Sequence, residues 1–354
     1  LTGGSTGSDD STGSYGGSPA GPEPVRIAAR TSPLARAQVE LVGAQLTALG
    51  VPWTFVGITT VGDVDQRDLT QIGGTGVFVT GVRQALLDGR ADVAVHSLKD
   101  LPTAPVPELS LVAVPERADV ADVLVGRTLE SLRDGDRIGT GSPRRADQLR
   151  DWAARHGREL DVRSIRGNVD GRLQQVRDGR VDAVVLAAAG LARLGHLDPA
   201  TTGADGTLRV GGSSGREGGG LPGQRLGPDV VLPAPGQGAL GLECRWDADS
   251  RIYAVLTRLD HGVTRAEVLA ERTFLRVLEA GCTAPVGARA TIVSGPSHGP
   301  DLTVTAVVGT TWTGSGPHRR PTAAPLLRLS GRGSADQPEE VGAALARTAL
   351  AELS

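Results

Sequence analysis

Short apolar runs alternate with amphipathic stretches along residues 25–186, and that alternation sets the first expectation. Val25–Ala29 reads as a strand, Ser32–Leu49 as a helix, Trp53–Thr59 as a strand, Gly76–Leu87 as a helix and Ala91–His96 as a strand. Runs of apolar residues between turn signals suit strands, whereas apolar positions recurring every three or four residues suit helices. The order is that of a βαβ unit. It then recurs as strand Arg137–Thr140, helix Ser142–Arg155, strand Asp161–Ile165, helix Val169–Arg177 and strand Val181–Leu186. Two echoes, Asp88-Gly-Arg-Ala-Asp against Asp178-Gly-Arg-Val-Asp and Ser32-Pro33 against Ser142-Pro143, point to a structural duplication.

Beyond these units the pattern changes. Residues 200–228 include GGSSGREGGG and are expected to form a mobile surface loop, because so little apolar surface cannot offset the entropy of ordering. The segment from Val231 to about Asp260 is expected to return to the first unit. From His261 onward, a helix over Thr264–Leu278, strands at Ala288–Val293 and Leu302–Val308, and a helix over Glu339–Ala351 describe a small α+β domain. Residues 1–24 are mostly Gly, Ser, Thr and Pro, with neither a basic nor an apolar leader region, and read as a disordered tail. The expected domains are therefore 25–117 with 234–260, 118–233, and 261–354.

Composition narrows the classes. A chain of 354 residues exceeds what one core usually holds, which agrees with several domains. A formal net charge of −3 gives no bulk attraction to nucleic acid or anionic membrane, and the longest apolar stretch, Ala183–Ala192, is too short to span a bilayer. Two cysteines make neither a disulfide framework nor a four-thiolate zinc site, and the six histidines show no ligand spacing, so no metal is expected. The reading is a soluble, cytoplasmic protein. Of 37 Lys and Arg residues only Lys99 is a lysine; it survives either by chance or because a compact ammonium is required there.

Each Ser-Pro pair follows a strand and opens a helix, with Ser as the capping oxygen and Pro in the first turn. Simple capping accounts for this; so does an anion site at each helix N-terminus, flanked by Arg30 in the first unit and by Arg144 and Arg145 in the second. In IRGNVDGRL (165–173) the chain leaves a strand, turns through Gly167 and starts a helix, so that Arg166 and Arg172 can face one crevice at the carboxyl end of the sheet. Guanidinium forks there suit a polycarboxylate. In HSLKDLP (96–102) polar side chains emerge where an apolar strand stops. Asp100 either caps a turn or steadies a developing cation, with Lys99 and Ser97 holding an anionic group. Cys244 reads as buried packing, whereas Cys282 lies on a helix-to-strand turn as either an inert thiol or a reachable thiolate.

Taken together, AARTSPLARAQ (28–38), HSLKDLPT (96–103), IGTGSPRRADQL (138–149), IRGNVDGRL (165–173), LAAAGLARLG (186–195), LPAPGQGALGLECR (232–245) and ERTFLRVLEAGCTAPVGARA (271–290) resemble the hydroxymethylbilane synthase, or porphobilinogen deaminase, family. The resemblance implies an α/β fold: two α/β domains like type II periplasmic binding proteins around a cleft, plus a small α+β C-terminal domain. It implies a covalent dipyrromethane on Cys282, onto which four porphobilinogen units are condensed with loss of ammonia before hydrolysis releases 1-hydroxymethylbilane. It casts Asp100 as the catalytic carboxylate. Arg30, Ser32, Ser97, Lys99, Thr140, Ser142, Arg144, Arg145, Arg166, Gly167, Arg172 and Arg193 match cofactor- and substrate-binding positions. The implied partners are porphobilinogen and the growing oligopyrrole, with a monomer as the expected state.

The chain departs from the family pattern at Thr75 and Thr80, where lysines are usual, at Gly81 for a glutamate, Gly141 for a serine, Pro143 for a leucine and Gly171 for a threonine. Two other readings stay open: a non-catalytic module that captures a small anion, and a family member with weakened catalysis.

Overall fold

The computed structural model describes residues 23–59, 77–197, 203–211, 220–280, 284–293, 300–309 and 326–354. The first sheet begins with β1 (Val25–Arg30), which pairs in parallel with β2 (Trp53–Ile58) and β3 (Val93–Ser97). Helix α1 (Pro33–Ala48) lays Val39, Val42 and Leu46 on one face, against Ile27 and Val95. Helix α2 (Val77–Leu87) lays Val82, Ala85 and Leu86 on the other, against Ala28 and Ala94. With both faces covered, the strands read as near-continuous apolar runs, which is why they were visible in the sequence. β4 (Leu109–Ala113) lies at the edge of this sheet.

The second sheet repeats the plan. β6 (Arg137–Gly139) pairs in parallel with β7 (Asp161–Arg163) and β8 (Ala183–Ala187). Helix α3 (Pro143–Arg155) packs Leu149 and Trp152 on one face, and α4 (Val169–Arg177) packs Leu173 on the other. A short helix, α5 (Ala188–Arg193), follows β8 directly, so the long apolar stretch is a strand and a helix in succession. The Asp-Gly-Arg echo has a structural meaning. Arg26 donates through its backbone N and Nε to Asp92 and through a terminal nitrogen to the Gly89 carbonyl; Arg137 does the same with Asp182 and Gly179. Gly89 and Gly179 have φ of 67° and 66°, a left-handed turn that glycine adopts without strain.

Each sheet is completed from across the molecule. After β4 the chain crosses over residues 114–121 to β5 (Asp122–Val125), antiparallel to β8. It returns over residues 226–239 to β11 (Leu240–Arg245), which is antiparallel to β3 and β4. The two crossovers touch: Ala118 N donates to Gly238 O at 3.3 Å, and Gly238, at φ 88°, leaves only 2.5 Å between a would-be Cβ and the Ala118 carbonyl. Only glycine fits there.

Residues 200–228 differ from the expected loop. β9 (Thr207–Val210) pairs with β10 (Leu221–Arg225), which adds to β5 in the second sheet. Leu208 and Val210 alternate inward and are buried, a two-residue period that the surrounding glycines obscured. The stretches 198–202 and 212–219 of that segment, and the tail over residues 1–22, lie outside the described residues.

After α6 (Ser250–Leu256) come α7 (Gly262–Val277), the antiparallel sheet β12 (Val286–Val293), β13 (Asp301–Gly309) and β14 (Leu326–Ser334), and α8 (Pro338–Leu353). Phe274 of α7 and Leu345 and Ala346 of α8 close the core over Ala288, Leu302 and Val304. Within this domain the sequence did not mark β14: its residues alternate half-buried and exposed rather than forming an apolar run. No helix among the described residues is long and apolar enough to cross a membrane, and no His, Cys, Asp or Glu cluster among them suits a metal.

Candidate active site

Strand β3 delivers Ser97 to the carboxyl edge of the first sheet, and the chain bends at once into a single 3-10 turn, Leu98–Asp100. Leu98 is fully buried and anchors the turn, so its neighbours take opposite paths. Asp100 is exposed and lines a cavity with Arg30, Ser32, Gln38 and Ser97. Ser32 caps α1 by accepting from Ala35 N at 3.3 Å, with Pro33 next, so the capping role is real; Ser97 Oγ accepts from Gln38 Nε2 at 2.7 Å.

Lys99 runs inward, half-buried, and donates to Gln237 Oε1 at 3.3 Å. Burial, opposed by Asp100 and reinforced by Arg145, brings its ammonium down from 10.5 to about 8. The cluster it joins is centred on Asp122, the first residue of β5. Arg144 reaches Asp122 Oδ2 at 2.8 Å and the Leu232 carbonyl at 2.5 Å. Arg145 reaches Asp122 Oδ1 at 2.7 Å and the Val185 carbonyl at 3.0 Å. Gln237 adds a donor to the same carboxylate at 2.9 Å. Asp122 is held well below the usual carboxylate range: burial alone would raise it, but the two guanidiniums outweigh that. Three cations thus share one fully buried carboxylate, and positive charge is left over.

More charge stands beside it. Gly167, at φ 109°, turns the chain after Ile165, and Asn168 caps α4 by accepting from Gly171 N at 2.8 Å. Arg172 follows on α4, and burial together with Arg145 and Arg166 pulls its guanidinium down to about 10. Arg193, at the end of α5, is lowered to about 10 by burial and donates to the Gly238 carbonyl at 2.6 Å. The Nε atoms of Arg144, Arg145, Arg172 and Arg193 are buried without a hydrogen-bond partner among the described residues. Such orphan donors are rare in native structures and call for an explanation. Thr140 is buried and its Oγ1 accepts from Ser142 N at 3.2 Å; Ser142 is positioned as the cap of α3 but its side chain makes no capping bond. Gly141 sits so close to Ile165 that a Cβ would lie 2.9 Å from its carbonyl oxygen.

Cys282 and Thr75 fall outside the described residues, whereas Thr80 and Gly81 lie within α2. The approach to Cys282 is described: α7 ends at Val277, and Glu279 stands at φ 52°, a left-handed conformation that costs a non-glycine residue about 1–2 kcal/mol. Cys244 is buried, and desolvation raises its thiol pKa. His96 is buried with Nε2 3.1 Å from Glu243, which also takes a two-pronged contact from Arg83. The carboxylate is close, yet Nε2 makes no hydrogen bond among the described residues.

The sequence reading passed over Asp122, Gln237 and Gln38. The signal for Asp122 was present: it is the one polar residue in the apolar run Ala121–Val125, and a lone carboxylate on a buried strand needs a cationic partner. Gln237 carried no comparable signal, because its role depends on the crossovers meeting.

Comparison with known proteins agrees with this architecture. Residues 25–253 match the family model "Porphobilinogen deaminase, dipyromethane cofactor binding domain", and residues 265–351 match "Porphobilinogen deaminase, C-terminal domain". The chain is 44% identical over 333 residues to porphobilinogen deaminase 1 of Streptomyces coelicolor, covering 93% of this chain and 94% of that one. It is 48% identical over 279 residues to porphobilinogen deaminase of Leifsonia xyli, covering 77% of each. A periplasmic substrate-binding protein of Coxiella burnetii superposes with a TM-score of 0.38 at 14% identity, covering 66% of this chain and 91% of that one, a likeness too loose to bear on function. Matches to both halves of the family pattern, and a relative aligned over nearly its whole length, settle the kinship: the chain belongs to the porphobilinogen deaminase family.

Proposed function

We propose that the protein is a hydroxymethylbilane synthase: a transferase that condenses four porphobilinogen molecules head to tail on a covalent dipyrromethane and releases 1-hydroxymethylbilane by hydrolysis. The observation that carries this reading is the surplus of buried positive charge around Asp122, with unpartnered guanidinium nitrogens on Arg144, Arg145, Arg172 and Arg193. Buried cations without anions are costly, so a site built this way is completed by carboxylates from outside the chain. Each pyrrole of the substrate and of the dipyrromethane bears acetate and propionate arms, and the fit is chemical as well as electrostatic, since guanidinium forks bind carboxylates in pairs.

When bound through Cys282, the dipyrromethane supplies an electron-rich pyrrole carbon as the primer. The remaining roles belong to the chain. Arg172 and Arg193, with Arg30 and Arg166 nearer the surface, hold the acidic arms; Lys99 adds a compact charge. Ser32, Ser97, Thr140, Ser142 and the Gly167 turn shape the two helix-end faces that the arms meet. Asp100, in the cavity it lines with Arg30 and Ser32, is the carboxylate that accepts the pyrrole N–H of porphobilinogen and balances the cation left on its methylene carbon when the C–N bond breaks and ammonia departs. Domain limits of 25–117 with 234–260, 118–233 and 261–354 belong to this reading, as do a monomeric state and a cytoplasmic site of action.

Asp100→Ala tests it. The variant is expected to unfold within a few degrees of the parent and to lose on the order of 100- to 1,000-fold in kcat, the usual effect of deleting one preorganised charge. A rate near that of the parent would remove Asp100 from the mechanism.

A further inference from the structure

Two neighbouring residues on α7 reach in different directions. Glu271 is fully buried and takes both terminal nitrogens of Arg117 at 2.8 Å, Gly236 N at 2.7 Å and Ala290 N at 2.8 Å. It therefore ties α7 to both crossovers and to β12. Arg272 reaches the other way, to the turn that carries Lys99 and Asp100. Its guanidinium donates to the carbonyls of Leu98 at 3.1 Å, Leu101 at 2.8 Å and Pro102 at 2.9 Å.

Leu98 O also accepts the turn's closing bond from Leu101 N at 3.2 Å, while the Leu101 and Pro102 carbonyls lie just past the turn, at the end where a cation is favoured. The remaining contacts of the turn close a ring. Leu98 N donates to Ala239 O at 3.0 Å, and the Leu98 side chain packs with Val268, one turn before Arg272 on α7. Lys99 bonds Gln237, whose carbonyl accepts from Arg117 Nε at 2.8 Å, and Arg117 returns to Glu271.

We propose that Arg272 is a positioning residue: by gripping three carbonyls of the Leu98–Pro102 turn, it fixes the Asp100 carboxylate relative to α7. This rests on the proposed function, in which Asp100 is the catalytic carboxylate. Arg272 is not among the described residues that line the cavity with Asp100; its bonds to the carbonyls act through the backbone of the turn. Displacement of a reacting group by about 1 Å costs up to roughly 100-fold in rate, so a loosened turn is expected to lower kcat while the anchors for the substrate's acidic arms, and hence KM, are largely retained.

The test compares the full-length parent with Arg272→Met and Arg272→Lys by intact mass, amide hydrogen exchange and steady-state kinetics. Arg272→Met is expected to keep the covalent added mass, to exchange faster within residues 97–102 but not in β1 or β8, and to lose about 10- to 100-fold in kcat with KM changed less than threefold. Arg272→Lys, which can still bond part of the carbonyl cluster, is expected to fall between the two in both exchange and kcat. Unchanged exchange in the turn, or faster exchange with kcat within twofold of the parent, overturns the proposal. If Arg272→Met fails to fold, Arg272→Lys decides the matter on the same readouts. An unmodified protein that shows neither added mass nor turnover defeats the enzymatic reading and the catalytic half of this proposal with it, and the exchange measurement still reports separately whether Arg272 holds the turn.

Discussion

Replacing Asp122 by Asn keeps the shape of the side chain and removes the one negative charge that Arg144 and Arg145 share. The exposures decide the magnitude: the three side chains are 4%, 7% and 0% accessible, with contacts of 2.8 and 2.7 Å. Removing one partner of a buried ion pair leaves uncompensated charge and costs about 3–5 kcal/mol. At about 2–4 °C per kcal/mol, the melting temperature should fall by roughly 6–20 °C. The control is Asp247→Asn, whose partner Arg245 and own side chain are 43% and 40% exposed; such pairs contribute about 0–1 kcal/mol. Because the folded-state pKa of Asp122 is depressed, its contribution is complete at neutral pH and is lost only as acid protonates it, so unfolding at pH 7 by heat or urea is the assay. A loss at Asp122 no larger than at Asp247 would refute the claim that this carboxylate holds the cluster together.

Lys99 gives a pH prediction. Its ammonium is brought down to about 8, so the folded chain binds fewer protons there than the unfolded chain between pH 8 and 10.5; stability from this group is complete above 10.5 and is lost as pH falls through 8. Binding runs the other way: the KM for porphobilinogen should rise above about pH 8, and Lys99→Arg, which stays charged, should flatten that rise; identical profiles would exclude Lys99 as an anchor. Gly43→Ala should lower the melting temperature despite alanine's better helix propensity, because its Cβ would stand 2.1 Å from the Trp53 ring and overpacking costs about 1–3 kcal/mol; a higher melting temperature would contradict the packing of α1 on β2.

The parts of the fold that follow a local period were legible. Buried parallel strands such as Val93–Ser97 announce themselves as apolar runs, and α4 at Val169–Arg177 was marked to the residue. What depends on partners distant in sequence was not. β14 alternates without a strongly apolar face, and β9 and β10 lie among glycines whose composition suggested disorder while Leu208 and Val210 were filling the core. At the site, Arg172 could be picked out as a charged residue near a helix start and Arg193 through the family resemblance, but their desolvation could not, since it arises from the approach of other segments. Arg144 and Arg145 were legible as cations and not as partners of Asp122, 22 and 23 positions away, because only the crossover after β4 places that carboxylate between them.

The central claim is that the chain carries its own primer on sulfur, and the intact mass of the full-length protein from cells that make porphobilinogen tests it most directly. The account predicts a mass above that of the polypeptide by one dipyrromethane, absent from Cys282→Ser. A parent protein with the mass of the bare chain, or an addition that survives Cys282→Ser, would contradict it.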